Sequence, residues 1–135
     1  NWVWSKQVLD LADVDGDGIP NSWELAFFGG LDCQPLLDSD GDGQSNLDEY
    51  IAGMDPTNSG SIFMIKSADA VLDGGFVITW DSVTGRVYSV QWKGSMTNAF
   101  QSLETGILPP QNSYTDSVHK AKSCGYYTID VELIK

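Results

Sequence analysis

The chain has 135 residues, enough for one medium domain or two small ones, and 41% of them are hydrophobic, which is typical of a chain that folds around a core. Its formal net charge is −12 with only 7 Lys and Arg, which excludes nucleic acid as a partner and disfavours an anionic membrane surface. Because the sequence has no apolar run of about 18 residues, we expect no membrane-spanning helix.

The acidic residues are concentrated in the first half of the chain. Residues 1–57 hold ten Asp, two Glu and one Lys, whereas residues 58–135 hold five Asp, two Glu and six Lys or Arg. A polar stretch rich in Asn, Ser and Gly follows Pro56. This change in composition predicts two domains, residues 1–58 and residues 59–135.

The first predicted element is a helix over residues 4–11, in which Trp4, Val8 and Leu11 share one face. Tryptophan side chains either pack in a core or stack on sugar rings. We interpret Trp2, Trp4 and Trp23 as packing residues rather than as a sugar-binding surface.

Two segments then match the calcium-loop pattern D-x-[DN]-x-[DN]-G-x₅-E without a mismatch. They are DVDGDGIPNSWE at residues 13–24 and DSDGDGQSNLDE at residues 38–49. Ca²⁺ takes about six to eight oxygen ligands, so a short loop must turn several acidic side chains toward one point. Solvated Asp-Gly turns are the alternative, but turns do not require Glu at the twelfth position of both segments.

We predict two Ca²⁺ ions, one in each loop, held by positions 1, 3, 5, 7, 9 and 12, with the backbone carbonyl serving at position 7. The ligands in the first loop are Asp13, Asp15, Asp17, Ile19, Asn21 and Glu24. Those in the second loop are Asp38, Asp40, Asp42, Gln44, Asn46 and Glu49. Since the carboxylates of each loop repel one another, we expect the metal to be part of the fold.

Each loop leads into a predicted short helix, the first over residues 20–28 and the second over residues 46–52. Gly29 and Gly53 mark the two helix ends. In a paired calcium sensor, the eighth loop position donates a backbone N–H to the partner loop, and Pro20 has no N–H to donate. We therefore expect that the first loop cannot donate the hydrogen bond of a sensor-like β-bridge.

The segments DVDGDGIPNSWE and DSDGDGQSNLDEYIAGMDPTN resemble the EF-hand-like repeats of the thrombospondin type 3 and dockerin families, over about residues 10–58. Dockerins usually have Asp at the twelfth position, and Glu24 and Glu49 depart from that pattern. The resemblance implies a large secreted bacterial protein, often a polysaccharide-active enzyme or a surface protein. In such proteins the repeats act as calcium-stiffened spacers or docking elements.

Alternating apolar residues in the second half predict β-strands. The two clearest strands carry Phe76, Ile78 and Trp80, and then Tyr88, Val90 and Trp92, and we predict that they form a hairpin around residues 81–85. Further strands are predicted at residues 62–66, 100–104, 113–118 and 127–133. The predicted fold class is α+β, in which a small helical double calcium-loop module precedes a small antiparallel β-sandwich.

The segments GGFVITWDSVTGRVYSVQW and GYYTIDVEL resemble a compact fibronectin type III or immunoglobulin-like domain. In such a domain Trp80 is expected in the core. Tyr88 and Trp92 are either core residues or candidates for stacking on a sugar ring.

The sequence has two cysteines and one histidine as candidate catalytic residues. Cys33 and Cys124 lie one in each predicted domain, and they are either bridged, which would be worth up to ~4 kcal/mol, or two free thiols. We interpret His119 as a surface residue. No spacing selects a catalytic carboxylate pair, so we expect no enzyme activity.

Three functions remain open, and all of them include the calcium sites. The first is a non-catalytic accessory module that joins or orients domains of a secreted or cell-surface protein. The second is a carbohydrate-binding module, whose partner is a polysaccharide held by the β domain. The third is self-assembly or adhesion, in which the partner is another protein chain.

Overall fold

The computed structural model of the chain describes residues 12–122 and 124–135. Over these residues the fold is α+β, with two short helices followed by two three-stranded antiparallel sheets. The elements are α1 (Asn21–Phe28), α2 (Asn46–Ala52), β1 (Ile65–Ala70), β2 (Phe76–Trp80), β3 (Arg86–Lys93), β4 (Gln101–Ile107), β5 (Ser113–Asp116) and β6 (Tyr126–Leu133). The helix predicted over residues 4–11 lies outside the described ranges. Neither described helix has the length and hydrophobicity that a membrane crossing requires.

The chain divides into two compact units, Asn1–Ile62, described from residue 12 onward, and Phe63–Lys135. We call them the loop unit and the sheet unit. Residues 59–62 belong to the loop unit, where the Asp55 N–H donates to the Ser61 hydroxyl at 2.9 Å. The Ser61 N–H in turn donates to the Asn58 carbonyl at 2.7 Å. These bonds hold the segment that follows α2 in a closed turn.

Both helices end at a glycine in the left-handed conformation. Gly29 has a φ of 72° and donates its N–H to the Leu25 carbonyl at 3.2 Å. Gly53 has a φ of 80° and donates its N–H to the Glu49 carbonyl at 2.8 Å. Only glycine adopts this conformation without strain, so the helix ends predicted at these two residues are confirmed.

The sheet unit contains one sheet of strand order β1–β2–β5 and another of order β4–β3–β6. The predicted hairpin between β2 and β3 is wrong, because β2 pairs with β1 and β5 while β3 pairs with β4 and β6. Residues 81–85 therefore carry the chain from one sheet to the other. The Val83 N–H donates to the Tyr88 hydroxyl at 2.8 Å, which fixes this crossing.

Side chains from both sheets form one core. Trp80 on β2 is 1% exposed and Tyr88 on β3 is fully buried, and their ring centroids are 5.8 Å apart. Val90 and Ile107 complete the buried cluster. The two sheets thus pack against each other, and the prediction that Trp80 is a core residue is confirmed.

Three strands differ from their predicted bounds by two residues or more at one end. The strand predicted at residues 100–104 is observed at Gln101–Ile107. The strand predicted at residues 62–66 is observed at Ile65–Ala70. The strand predicted to reach Val118 ends at Asp116, whose Oδ1 accepts hydrogen bonds from the N–H groups of Val118 at 2.9 Å and His119 at 3.2 Å. These bonds turn the chain away from the sheet, because the carboxylate replaces the carbonyl of a neighbouring strand as acceptor.

Trp92 packs closely against His119 and Gly125, and this packing leads to a first prediction. Its ring stacks on His119 with centroids 3.6 Å apart, and a Cβ on Gly125 would overlap the indole Nε1. We expect Gly125→Ala to lower the free energy of unfolding of the sheet unit by about 1 to 3 kcal/mol, since overpacking forces neighbouring groups to shift. Urea unfolding followed by near-ultraviolet circular dichroism measures this loss.

Gly30→Ala is the matched control, because a Cβ at Gly30 meets no atom within 4 Å. Its effect should stay within about 0.5 kcal/mol. Equal losses in the two variants would mean that the packing against Trp92 is looser than described.

Candidate metal centres

The first loop is closed by the carboxylate of Asp13. Its Oδ1 accepts hydrogen bonds from the N–H groups of Gly16 at 2.7 Å and Asp17 at 3.1 Å, and its Oδ2 accepts one from Gly18 at 3.0 Å. These bonds, the one from Gly18 first, lower the pKa of Asp13. A carboxylate with three N–H donors is fixed in position and remains ionised.

The second loop repeats this arrangement around Asp38. Its Oδ1 accepts from the N–H groups of Gly41 at 2.7 Å and Asp42 at 3.2 Å, and its Oδ2 accepts from Gly43 at 2.9 Å. The pKa of Asp38 is lowered for the same reason, with Gly43 contributing most. The matching bonds of the two loops agree within 0.1 Å, so the repeated sequence produces a repeated geometry.

The glycine at the sixth position of each loop makes the bend that brings the acidic side chains together. Gly18 has a φ of 95° and Gly43 a φ of 98°. Residues with a Cβ rarely adopt this region, so the prediction that these two glycines permit the turn is confirmed.

Each loop then gathers three aspartates. One carboxylate oxygen from each of Asp13, Asp15 and Asp17 lies within 4.8 Å of the others. The same holds for Asp38, Asp40 and Asp42. Six of the predicted ligands are thus brought together as two triplets, and each triplet could hold a metal ion.

Unlike the aspartates of these triplets, the glutamates at the twelfth positions are buried. Glu24 and Glu49 are both fully buried, at the first turn of α1 and α2. The Oε2 of Glu24 and both carboxylate oxygens of Glu49 have no hydrogen-bond partner among the described residues. A buried carboxylate without a partner is costly, and a bound cation is one of the few groups that offsets this cost.

The aspartates of each triplet raise the pKa of the glutamate in the same loop. Burial raises the pKa of Glu24, and the charges of Asp15 and Asp17 raise it further. Burial likewise raises the pKa of Glu49 to about 7, with the charges of Asp40 and Asp42 adding to the effect. A divalent cation would reverse this repulsion, because an opposite charge favours the ionised carboxylate. The residues present therefore fit a bound metal.

The ninth positions of the two loops differ. The Asn21 Oδ1 accepts a hydrogen bond from the Val14 N–H at 3.0 Å. The Asn46 Oδ1 is buried without a partner, while its Nδ2 donates to the Gln34 carbonyl at 2.8 Å. The Oδ1 of Asn46 is thus free to bind an ion, whereas the Oδ1 of Asn21 already accepts a hydrogen bond.

The seventh positions are set by the aspartates at the fifth. The Ile19 N–H donates to Asp17 Oδ1 at 2.8 Å, and the Gln44 N–H donates to Asp42 Oδ1 at 2.7 Å. These bonds fix the backbone next to the carbonyls predicted as ligands. Ile19 is also fully buried, so its side chain anchors the first loop in the core of its unit.

Each loop closes on itself. The Asn21 N–H donates to the Ala12 carbonyl at 2.7 Å, and the Asn46 N–H donates to the Leu37 carbonyl at 2.8 Å. Residues 13–24 and residues 38–49 contain no strand. The loops meet through their helices instead, where the rings of Trp23 and Tyr50 lie 5.8 Å apart.

Comparison of the chain with protein-family models, with curated proteins and with solved structures found no match. The resemblance to thrombospondin type 3 and dockerin repeats therefore stays a prediction.

The sequence also offered Tyr88 and Trp92 as rings that could stack on a sugar, and the structure buries both of them. Tyr88 is fully buried, and Trp92 is 9% exposed with one ring face covered by His119. Both point between the sheets because alternate residues of β3 face the core. Their other predicted role, ordinary packing, is confirmed.

His119 belongs to a buried cluster that sequence reasoning missed. Its side chain is 12% exposed, which corrects the prediction of a surface histidine, and its Nδ1 lies 2.7 Å from Oδ2 of the fully buried Asp116. The Tyr127 hydroxyl donates to the same oxygen at 2.7 Å. An Asp at the end of a strand with a His three residues later is the signal that could have suggested this contact.

An aspartate bound to a histidine Nδ1 is also the orienting pair of many hydrolases. Among the described residues, however, no hydroxyl or thiol forms a hydrogen bond with the His119 ring. His119 and Cys124 line one cavity of 230 Å³, but the Cys124 thiol donates to the Gly94 carbonyl at 3.8 Å. The pair holds the loop between β5 and β6, because Asp116 also accepts hydrogen bonds from the N–H groups of Val118 and His119.

Both cysteines, Cys33 in the loop unit and Cys124 in the sheet unit, are free thiols in this structure. Burial, followed by the charge of Glu24, raises the pKa of Cys33 and favours its neutral thiol. The Cys33 N–H donates to Glu24 Oε1 at 3.3 Å. This residue thus contacts the first candidate centre through its backbone.

Proposed function

We propose that this chain is a calcium-binding module in which residues 13–24 and residues 38–49 each hold one Ca²⁺ ion. The observation that carries the proposal is a set of seven buried side-chain oxygens, all on predicted ligands, that have no hydrogen-bond partner among the described residues. They are Asp17 Oδ2, Glu24 Oε2, Asp40 Oδ2, Asp42 Oδ2, Asn46 Oδ1, Glu49 Oε1 and Glu49 Oε2. Buried oxygens of folded proteins are almost always paired, so these are directed at a partner of another kind.

The donor set favours Ca²⁺ over other cations. Each cluster offers carboxylate oxygens without a histidine nitrogen or a thiolate, which is the chemistry of a hard ion rather than of zinc or copper. Mg²⁺ demands a near-octahedral shell and usually retains several waters, whereas Ca²⁺ accepts the larger and less regular shell that these loops provide. When bound, the ion supplies the positive charge that neutralises the triplet and the buried glutamate.

The remaining parts of the proposal follow from this one. The loop–helix arrangement supports an EF-hand-like module of the thrombospondin type 3 or dockerin kind, and the two packed sheets support a β-sandwich. We place the chain outside the cell or on its surface, where calcium is millimolar, as a non-catalytic accessory module. The carbohydrate-binding alternative has lost the two rings on which it depended, and no contact of the described residues favours adhesion.

Calcium titration of the whole chain tests the proposal. Isothermal titration calorimetry of protein first treated with a chelator is expected to give two ions per chain. If the sites have the weak affinities of extracellular modules, millimolar calcium contributes roughly 0.4 to 1.4 kcal/mol per site. The melting temperature of the loop unit should then rise by several degrees.

Two controls separate calcium binding from a general salt effect. Sodium chloride at the same ionic strength and magnesium at the same concentration should produce a much smaller rise in melting temperature. The absence of binding heat, together with equal melting curves in calcium and in EDTA, would overturn the proposal.

A further inference from the structure

We infer that the two centres are unequal, and that the second loop binds its ion more tightly and fills first. The inference rests on the proposed function, because it concerns the order in which the two proposed sites take up calcium. The first aspartate of each loop does not produce the difference, since its three hydrogen bonds match within 0.1 Å in the two loops. The difference arises at the third, ninth and twelfth positions.

In the first loop, two of the predicted ligand oxygens already have a partner. The Cys33 N–H donates to Glu24 Oε1 at 3.3 Å. The Val14 N–H donates to Asn21 Oδ1 at 3.0 Å. An ion that uses either oxygen must share it with the N–H group or displace that group, which leaves a backbone donor without an acceptor.

In the second loop, the equivalent oxygens are free. Both carboxylate oxygens of Glu49 and the Oδ1 of Asn46 are buried and have no partner among the described residues. The Asn46 amide is held in place from its other end, because Nδ2 donates to the Gln34 carbonyl at 2.8 Å. This contact orients the free oxygen before an ion arrives.

Counting the aspartates as well, the second loop has five buried oxygens without a partner and the first loop has two. Each such oxygen has already lost its water on folding, so its binding to an ion has no further desolvation cost. A hydrogen bond that must be displaced is worth about as much as a tenfold change in affinity. We therefore expect the dissociation constants to differ by about tenfold or more, with preorganisation favouring the second loop.

Nuclear magnetic resonance on the unmodified chain tests the order directly. The amides of Gly18 and Gly43 each donate to the first aspartate of their own loop, so each reports on one site. During a calcium titration, the Gly43 resonance is expected to change at about tenfold lower free calcium than the Gly18 resonance. Simultaneous changes, or an earlier change at Gly18, would overturn the inference.

Two isosteric variants provide a second measurement by calorimetry. Glu49→Gln should remove the tight phase and leave the weak one, whereas Glu24→Gln should remove the weak phase and leave the tight one within about twofold. Glu104→Gln is the control, because Glu104 is exposed on β4 in the other unit. Loss of the tight phase in Glu24→Gln would overturn the order. A wild-type chain that binds no calcium at all would instead overturn the proposed function.

Discussion

Replacing Asp116 with alanine is expected to lower the free energy of unfolding of the sheet unit by about 3 to 5 kcal/mol. The carboxylate is fully buried and accepts hydrogen bonds from the Tyr127 hydroxyl and from two backbone N–H groups, and its Oδ2 also contacts the His119 ring. The substitution removes the shared acceptor of these groups at a buried position. Urea unfolding followed by tryptophan fluorescence measures the loss, because Trp80 and Trp92 both lie in this unit.

Two variants set the scale for this result. Tyr127→Phe removes one of the hydrogen bonds and should cost about 1 to 2 kcal/mol. Glu104→Ala changes an exposed carboxylate and should stay within about 0.5 kcal/mol. A loss in Asp116→Ala no larger than that in Tyr127→Phe would mean that the backbone donors find other acceptors.

The pH dependence of the same variant has a definite sign. Burial raises the pKa of Asp116, but hydrogen bonds from Tyr127 and His119 outweigh burial and lower it overall. The stability that the carboxylate contributes is therefore present above its ordinary pKa of 3.8 and is lost as the pH falls through the lower value of the folded state. The difference between wild type and Asp116→Ala should shrink below about pH 4, as the carboxylate takes up its proton.

The acidic loops and helix ends could be predicted residue by residue because they depend on local spacing. A twelve-residue pattern fixes which side chains can turn toward one point, and a glycine such as Gly53 marks the end of a helix at one position. The unequal ninth positions could not be predicted in this way. Asn21 and Asn46 are the same residue at the same loop position, and they differ only in the neighbours that the fold brings to them.

The alternation of apolar residues could not predict which strands pair, for a related reason. Alternation in β2 and β3 shows which face of each strand is buried, but any two buried faces satisfy it. Here Trp80 and Tyr88 meet across the core rather than side by side in one sheet. The short connection over residues 81–85 suggested a hairpin, and instead it joins the two sheets.

The same limit explains the error at His119. Its sequence neighbours are polar, which favours a surface loop, yet its environment is set by Asp116 before it and by Trp92 on a distant strand. Only the Asp116 contact has a local signal. The stacking on Trp92 depends on the path of the loop between β5 and β6, which the sequence does not specify locally.

The second large effect is expected in the loop unit when calcium is removed. In a chelator, its free energy of unfolding should fall as the pH rises from about 4.5 to about 7, by on the order of 2 kcal/mol. Glu49 causes most of this change, because burial and then the charges of Asp40 and Asp42 raise its pKa from 4.5 to about 7. Between these values the folded state binds more protons than the unfolded state, so rising pH favours unfolding.

Calcium should make this slope shallower, because the ion binds the ionised carboxylate and competes with the proton. The melting temperature of the loop unit is then expected to fall less with pH over the same range than it does in EDTA, and calcium binding near pH 6 should release protons. Melting curves at pH 5 and pH 8 in EDTA and in calcium measure both slopes. Glu49→Gln, which cannot ionise, should flatten most of the slope in EDTA and leave a smaller one from Glu24, whose pKa is also raised. A slope in EDTA that Glu49→Gln leaves unchanged would show that a group other than this buried carboxylate opposes folding of the metal-free loops.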